Sequence, residues 1–132
     1  VPVPRDAVLA VLSDPQAITR IDGGGTRVTP LTPDGPCHLY DYLSPSVFSD
    51  IRYRVRQCPT PTGLETTLIE SPSFSTYRAR WTLTPTPDGT SLRYEIAMTV
   101  KMLVPQSLVQ QTSRRAVHRM LTRLVAHFTP AP

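Results

Sequence analysis

Lysine is all but missing from this chain: Lys101 stands alone among 14 basic residues, and the arginines are dispersed. No basic block of the kind that tracks a phosphate backbone exists, so nucleic acid is not expected as a partner. Glycine is scarce too, with 6 residues. No Gly-rich phosphate loop, Gly-x-Ser-x-Gly elbow or paired-carboxylate motif can be found. Of the 3 histidines, His118 and His127 fall on roughly opposite sides of one helix, which excludes a shared metal; neither a metal nor a cofactor is expected. The 2 cysteines, Cys37 and Cys58, are too few for a disulfide scaffold or a zinc site. No apolar run approaches the roughly 18 residues that would cross a bilayer, and no segment has the pattern of a secretory signal. The expectation is a cytoplasmic protein with two free thiols.

What is present fits one domain spanning residues 1–132, with 39% hydrophobic and 18% charged residues, enough for a real core. The 15 prolines fall mostly between segments and imply stiff connections. The net charge of +4 is compatible with acidic ligands or surfaces.

Pro4-Arg5-Asp6, followed by Ala7, Val8, Val11 and Leu12, predicts a short amphipathic helix, with proline in the first turn and an acid at the positive end. Ser13-Asp14-Pro15 stops it and starts a second, with Asp14 as cap. After Gly23-Gly24-Gly25 the period becomes two. Strands are predicted over Thr26–Leu31, Cys37–Leu43, Asp50–Cys58, Leu64–Glu70, Tyr77–Thr84 and Ser91–Met102, separated by Pro/Asp/Gly/Ser turns. Their close spacing calls for antiparallel meander pairing. Tyr77, Ala79, Trp81 and Leu83 alternate with polar residues, as do Leu92, Tyr94, Ile96, Met98, Val100 and Met102. Pairing Leu83 with Leu92 and Trp81 with Tyr94 keeps both apolar sets on one face. After Pro105 the period returns to 3.6: Val109, Val117, Met120, Leu121, Leu124 and Phe128 form one stripe, and Arg115, Arg119 and Arg123 a separate face. That last helix is the element long enough to cover the sheet. A curved sheet touching it along one stripe leaves room for a hollow.

The segment Arg80-Trp81-Thr82-Leu83-Thr84-Pro85-Thr86-Pro87-Asp88-Gly89-Thr90-Ser91-Leu92-Arg93-Tyr94-Glu95 resembles the strand–turn–strand of the START-like, helix-grip superfamily. That group includes birch-pollen-allergen-like, polyketide cyclase and coenzyme-Q-binding proteins. Pro4 to Pro15 resembles its first helix with the Asp-Pro break, and Val104-Pro105 to Phe128 its closing helix. The resemblance covers nearly the whole chain. It implies an α+β fold, a curved antiparallel sheet wrapped around a long C-terminal helix, with two short N-terminal helices. The family's first strand is largely missing, since only Val1-Pro2-Val3 precedes the first helix; Ile18 and Ile21 stand where a tryptophan usually follows Asp-Pro.

In the second hairpin, a loop centred near Val47-Phe48 sets Cys37 opposite Cys58, Leu39 opposite Arg56, Asp41 opposite Arg54 and Leu43 opposite Arg52. An Asp41–Arg54 pair then lies outside, where the register could also make Cys37 and Cys58 a cross-strand pair, and His38, Tyr40, Tyr42, Ile51, Tyr53 and Val55 lie inside. Glu70 shares strand parity with Leu64 and Leu68, but an unpartnered buried carboxylate is costly, so a solvated position is expected. The candidate ligand-binding residues on the sheet are Tyr40, Tyr42, Tyr53, Tyr77, Ala79, Trp81, Tyr94 and Met98. On the helix they are Val117, Met120, Leu121 and Leu124. Hydroxylated aromatics suit a site that buries an apolar body and orients one polar end. His38 is the weak candidate for acid–base work, without a titratable partner placed beside it. The expected function is non-covalent binding or transport of a hydrophobic small molecule: a lipid, an isoprenoid quinone or a polyketide-like compound. A polyketide cyclase or aromatase is the alternative, and a co-chaperone-like interaction module the third reading. Arg115, Arg119 and Arg123 could face an anionic membrane surface or an acidic protein.

Overall fold

A computed structural model describes residues 1–23, 25–45, 50–101 and 105–129. The chain runs through α1 (Arg5–Leu12), α2 (Pro15–Asp22), β1 (Arg27–Pro30), β2 (His38–Ser44), β3 (Ile51–Thr60), β4 (Gly63–Glu70), β5 (Phe74–Thr86), β6 (Gly89–Val100) and α3 (Gln106–Phe128). The strands form one antiparallel sheet in sequence order, β1-β2-β3-β4-β5-β6, as the short turns require. The candidate loop centre at residues 47–48 lies outside the described residues.

Local chemistry sets the helix ends. The Asp14 carboxylate accepts from the Gln16 and Ala17 N–H groups at 3.0 and 3.4 Å, and Pro15 occupies the first turn. Gly23 then ends α2 in the left-handed conformation, φ +69°. Prolines do not end the strands as the sequence implied. Pro59 and Pro85 stay in the ladder, so both hairpins close tightly, at Thr60–Gly63 and Thr86–Gly89. A proline near a strand end loses one donor without breaking the pairing. Gly63 is required by contact: a Cβ there would lie 2.1 Å from the Trp81 carbonyl oxygen.

The registers follow the period-two reading. Leu83 pairs with Leu92 and Trp81 with Tyr94; Leu39 faces Arg56, Asp41 faces Arg54 and Leu43 faces Arg52. One departure matters. Val55 pairs with Leu68 but Arg54 with Glu70, so Ile69 is an extra, bulged residue. The bulge flips the parity of Glu70, which lies exposed on the outer face at 3.0 Å from Arg54. A second irregularity lies at Ser75, between Phe74 and Thr76.

The outer face is an ion-pair ladder. Arg54 bridges Asp41 (2.9 Å) and Glu70, Arg56 meets Asp34 (2.9 Å), and Glu65 accepts from Arg80 (2.8 Å) and Arg78 (3.1 Å). The Arg80 and then the Arg78 hydrogen bonds hold the Glu65 carboxyl below the usual carboxylate range. Such exposed pairs contribute little stability individually but neutralise part of an arginine-rich face.

Val8, Leu12, Leu64, Trp81, Leu83, Met120 and Leu124 form the main core; Val28, Tyr40 and Val55 form a second cluster. α3 makes its main backbone contacts with β6 and α2. Arg119 donates to both Asp22 carboxylate oxygens (3.1 and 3.3 Å) and Arg123 to the Asp22 carbonyl at 2.5 Å. Two cations thus sit at the negative end of α2. Two members of the arginine row therefore hold helix to helix, and Arg115 has no acidic partner among the described residues. Val1 and the start of β6 exchange two backbone hydrogen bonds through Thr90, at 2.7 and 2.9 Å, so Val1–Val3 lies against the sheet edge without forming a full strand.

The expectation of two free thiols is overturned: Cys37 and Cys58 are disulfide-bonded. The physical reason is register, since the pair directly opposite on the β2–β3 hairpin has its Cα atoms 4.3 Å apart. Thiol counting on denatured, unreduced protein should find no reactive cysteine, and replacing both cysteines by serine should lower stability by on the order of 3 kcal/mol. Leu124, fully buried against both sheet and helices, should cost about 2–5 kcal/mol on Leu124→Ala, read from the denaturant midpoint.

Candidate ligand-binding hollow

Period-two alternation aims one side of every strand inward. On β2 and β3 that places Tyr40, Tyr42 and Tyr53; on β5 and β6, Tyr77 and Tyr94. Register then makes them neighbours. Tyr42 and Tyr53 are cross-strand partners with rings stacked at 5.1 Å and 7°. Tyr53 meets Tyr77 at 5.2 Å, and Phe74 fits against both at 5.3 and 5.5 Å. Trp81 and Tyr94, also partners, stack at 4.0 Å. Each pair adds about 0.5–1.5 kcal/mol beyond its buried area.

Burial raises the pKa of Tyr42, Tyr53, Tyr77 and Tyr94, and is the leading cause in each. The Tyr53 shift is partly offset by a hydrogen bond with Ser44, and Tyr77 and Tyr94 lie within hydrogen-bonding reach of each other. Yet all four keep partly accessible surface. Tyr42 and Tyr53 border one cavity and Tyr94 another, while Tyr77 packs between them. The phenols are therefore protonated hydrogen-bond donors at neutral pH, and not bases.

The sequence-derived site residues divide into three groups. Tyr94, Met98 and Val117 line a groove of about 540 Å3 between β6 and α3, together with Ile96, Val109 and Ser113. Tyr42 and Tyr53 reach a second cavity of about 840 Å3, while Tyr40 and Tyr77 pack beside them. Ala79 is buried on the same face; Trp81, Met120 and Leu124 are in the main core, with Leu121 against it. His38 stands apart, exposed at the start of β2, 6.2 Å from Tyr40. Among the described residues no three His, Cys, Asp or Glu side chains group as metal ligands, and no helix is long and apolar enough to cross a membrane.

Sequence reasoning missed Ser113, Phe74 and Gln57. Ser113 occupies the stripe between Val109 and Val117, its hydroxyl returned to the Val109 carbonyl at 2.9 Å; the spacing of four was readable, but a serine scores as polar. Phe74 was hidden by the irregularity at Ser75, which breaks the alternation. Gln57 is buried on the inner face opposite His38; strand parity alone could have found it.

A curved meander wrapped on a long closing helix, with phenols facing a hollow, is the architecture of a START-like helix-grip protein. The chain belongs to the polyketide cyclase / dehydrase and lipid transport family, whose model matches residues 1–129. Three solved structures share the fold. A Thermus thermophilus protein superposes with a TM-score of 0.83 at 14% identity, covering 98% of this chain and 94% of its own. A START superfamily protein of Mycobacterium smegmatis gives 0.82 at 16%, covering 96% and 90%. The Zhui aromatase/cyclase of a Streptomyces species gives 0.80 at 14%, covering 96% and 87%. Comparison with the sequences of curated proteins finds no match.

The raised phenols make a pH prediction. A tyrosine whose pKa rises on folding keeps its proton where the unfolded chain has lost it. The folded state then binds more protons, so this contribution is full below about pH 10 and declines as pH rises above it. Ultraviolet titration of the native protein at about pH 11 should show only a small phenolate signal from its 5 tyrosines, and denatured protein a nearly complete one.

Proposed function

We propose that the protein binds a hydrophobic small molecule without covalent chemistry, in the hollow between the concave sheet and α3. One observation carries this reading: Tyr42, Tyr53, Tyr77 and Tyr94 are deep enough for burial to dominate their ionisation, yet retain accessible surface. The attachment of α3 along β6 and α2 supports it, because the helix is held at one side of the sheet. A lipid, an isoprenoid quinone or a polyketide-like compound fits such a lining, with apolar area as the main source of affinity and a phenol orienting one polar end. Within this reading Met98 borders the open space, and Ala79, Trp81, Met120, Leu121 and Leu124 form the packed wall behind it.

The alternative is a polyketide cyclase or aromatase, favoured by the likeness to the Streptomyces aromatase/cyclase. In it, protonated phenols would donate to the carbonyl oxygens of a folded poly-β-keto chain. The third reading, a protein-interaction module, finds less support on the outer sheet, where Arg54, Arg56, Arg78 and Arg80 are already ion-paired. For contact with an anionic membrane surface or acidic protein, Arg115 is the better anchor of its row, since Arg119 and Arg123 are engaged with Asp22. As to compartment, the bonded cysteine pair fits an oxidising location, and the cytoplasmic reading loses the support of free thiols.

Native mass spectrometry of freshly purified protein, with organic extraction, should reveal a co-purifying apolar compound. Ala79→Phe should abolish its uptake while the melting curve still shows a folded protein. His38→Ala should change affinity by no more than one hydrogen bond, about 0.5–1.5 kcal/mol. A roughly 100-fold loss of turnover of a poly-β-keto substrate in His38→Ala, with binding intact, would instead establish the enzyme.

A further inference from the structure

The sheet is paired across β4 and β5 along only part of their length. β4 and β5 are paired from Gly63–Thr82 to Thr67–Arg78 and no further, although β4 runs on to Glu70 and β5 starts at Phe74. The bulge at Ile69 turns the end of β4 toward Arg54 of β3, so the two strand ends diverge. The turn between them is pinned instead to β3: the Ser71 hydroxyl donates to the Arg52 carbonyl and accepts from the Ser73 and Phe74 N–H groups at 2.9 and 3.0 Å. The result is a slot held open by its own hydrogen bonds.

The cavity of about 840 Å3 lies at this slot, within the range of small-molecule sites. Its walls are of two chemistries. Tyr42, Tyr53, Leu68 and Phe74 belong to the inward face. Arg27 and Arg52, on the outward face of β1 and β3, and Lys101 at the end of β6 line the mouth of the same space, are exposed, and have no carboxylate partner among the described residues. Lys101 donates to the Ser71 carbonyl at 2.6 Å, which places its ammonium at the rim. The two acids lining the cavity, Asp41 and Glu70, are both held by Arg54. Three basic groups thus stand uncompensated beside an aromatic wall.

We infer that this slot takes an amphipathic anion, with its apolar chain against Tyr42, Tyr53, Leu68 and Phe74 and its carboxylate or phosphate end against Arg27, Arg52 and Lys101. The inference rests on the binding function proposed above, narrows it to ligands with an anionic head, and sets that head at the sheet slot, away from α3. Arginine forks match either head group, and low screening near an apolar wall strengthens the contact.

Calorimetric titration, with each probe below its micelle concentration, tests this with dodecanoate, dodecyl phosphate, dodecanol, dodecyltrimethylammonium and acetate. The anionic amphiphiles should bind roughly 10- to 100-fold more tightly than dodecanol, and the two heads rank the natural group. Acetate and the cation should bind weakly. Arg52→Gln and Arg27→Gln, each made singly, should collapse the preference for the anion, and added salt should reduce it. Equal affinity for dodecanoate, dodecyl phosphate and dodecanol would overturn the inference while leaving apolar binding intact. A preference that survives both substitutions would also overturn it, by placing the anion elsewhere. No uptake of any amphiphile would remove both this inference and the binding function.

Discussion

The β2–β3 register is the constraint on which the rest of the molecule depends. With Tyr42 set opposite Tyr53, every phenol of the hairpin points inward and Arg52, Arg54 and Arg56 point outward. A shift of one residue would exchange the two sets, burying arginines and exposing tyrosines, at a cost no hairpin could bear. Three interactions fix this register at separate points: the Cys37–Cys58 bond at one end, the Asp41–Arg54 pair in the middle, and the Tyr42–Tyr53 stack toward the other. Each is weak or replaceable alone. Together they leave one alignment.

From that alignment the division of labour across the sheet follows. Short ion pairs neutralise Arg54, Arg56, Arg78 and Arg80 on the outer face, leaving Arg27 and Arg52 as its unpaired charges among the described residues. The inner face carries phenols that cannot easily ionise, because burial penalises the charged form. A surface of protonated hydroxyls and aromatic rings tolerates many apolar shapes while offering hydrogen bonds to a carbonyl or hydroxyl. That matches the breadth of a family described as both cyclase and lipid transporter. The fold alone, shared at 14–16% identity with proteins of different title, does not select among those chemistries.

α3 is held at one side of the sheet. Asp22 anchors it through Arg119 and Arg123, and β6 supports its buried stripe. The core around Trp81, Met120 and Leu124 fills one end between helix and sheet, while the tyrosine cluster occupies the other.

Strand order, registers, helix ends and the inward set of tyrosines were determined by the sequence by itself. Period-two and period-3.6 patterns are local, and Asp14-Pro15 and the Pro/Gly turns punctuate them where the backbone demands it. Even the Asp41–Arg54 pair was legible, because an acid opposite an arginine row admits one comfortable alignment. Tertiary structure alone decided the rest. The bulge at Ile69 reversed the parity of Glu70, the slot between β4 and β5 joined Arg52 and Lys101 to the aromatic wall, and Arg119 and Arg123 were committed to a residue about a hundred positions away. The approach of Cys37 to Cys58 was legible in the hairpin register, and only their redox state departed from the sequence-based expectation. Patterns along a chain report which face a residue occupies, but a cavity, a bulge or a long-range contact depends on how whole elements meet, and no local period encodes that.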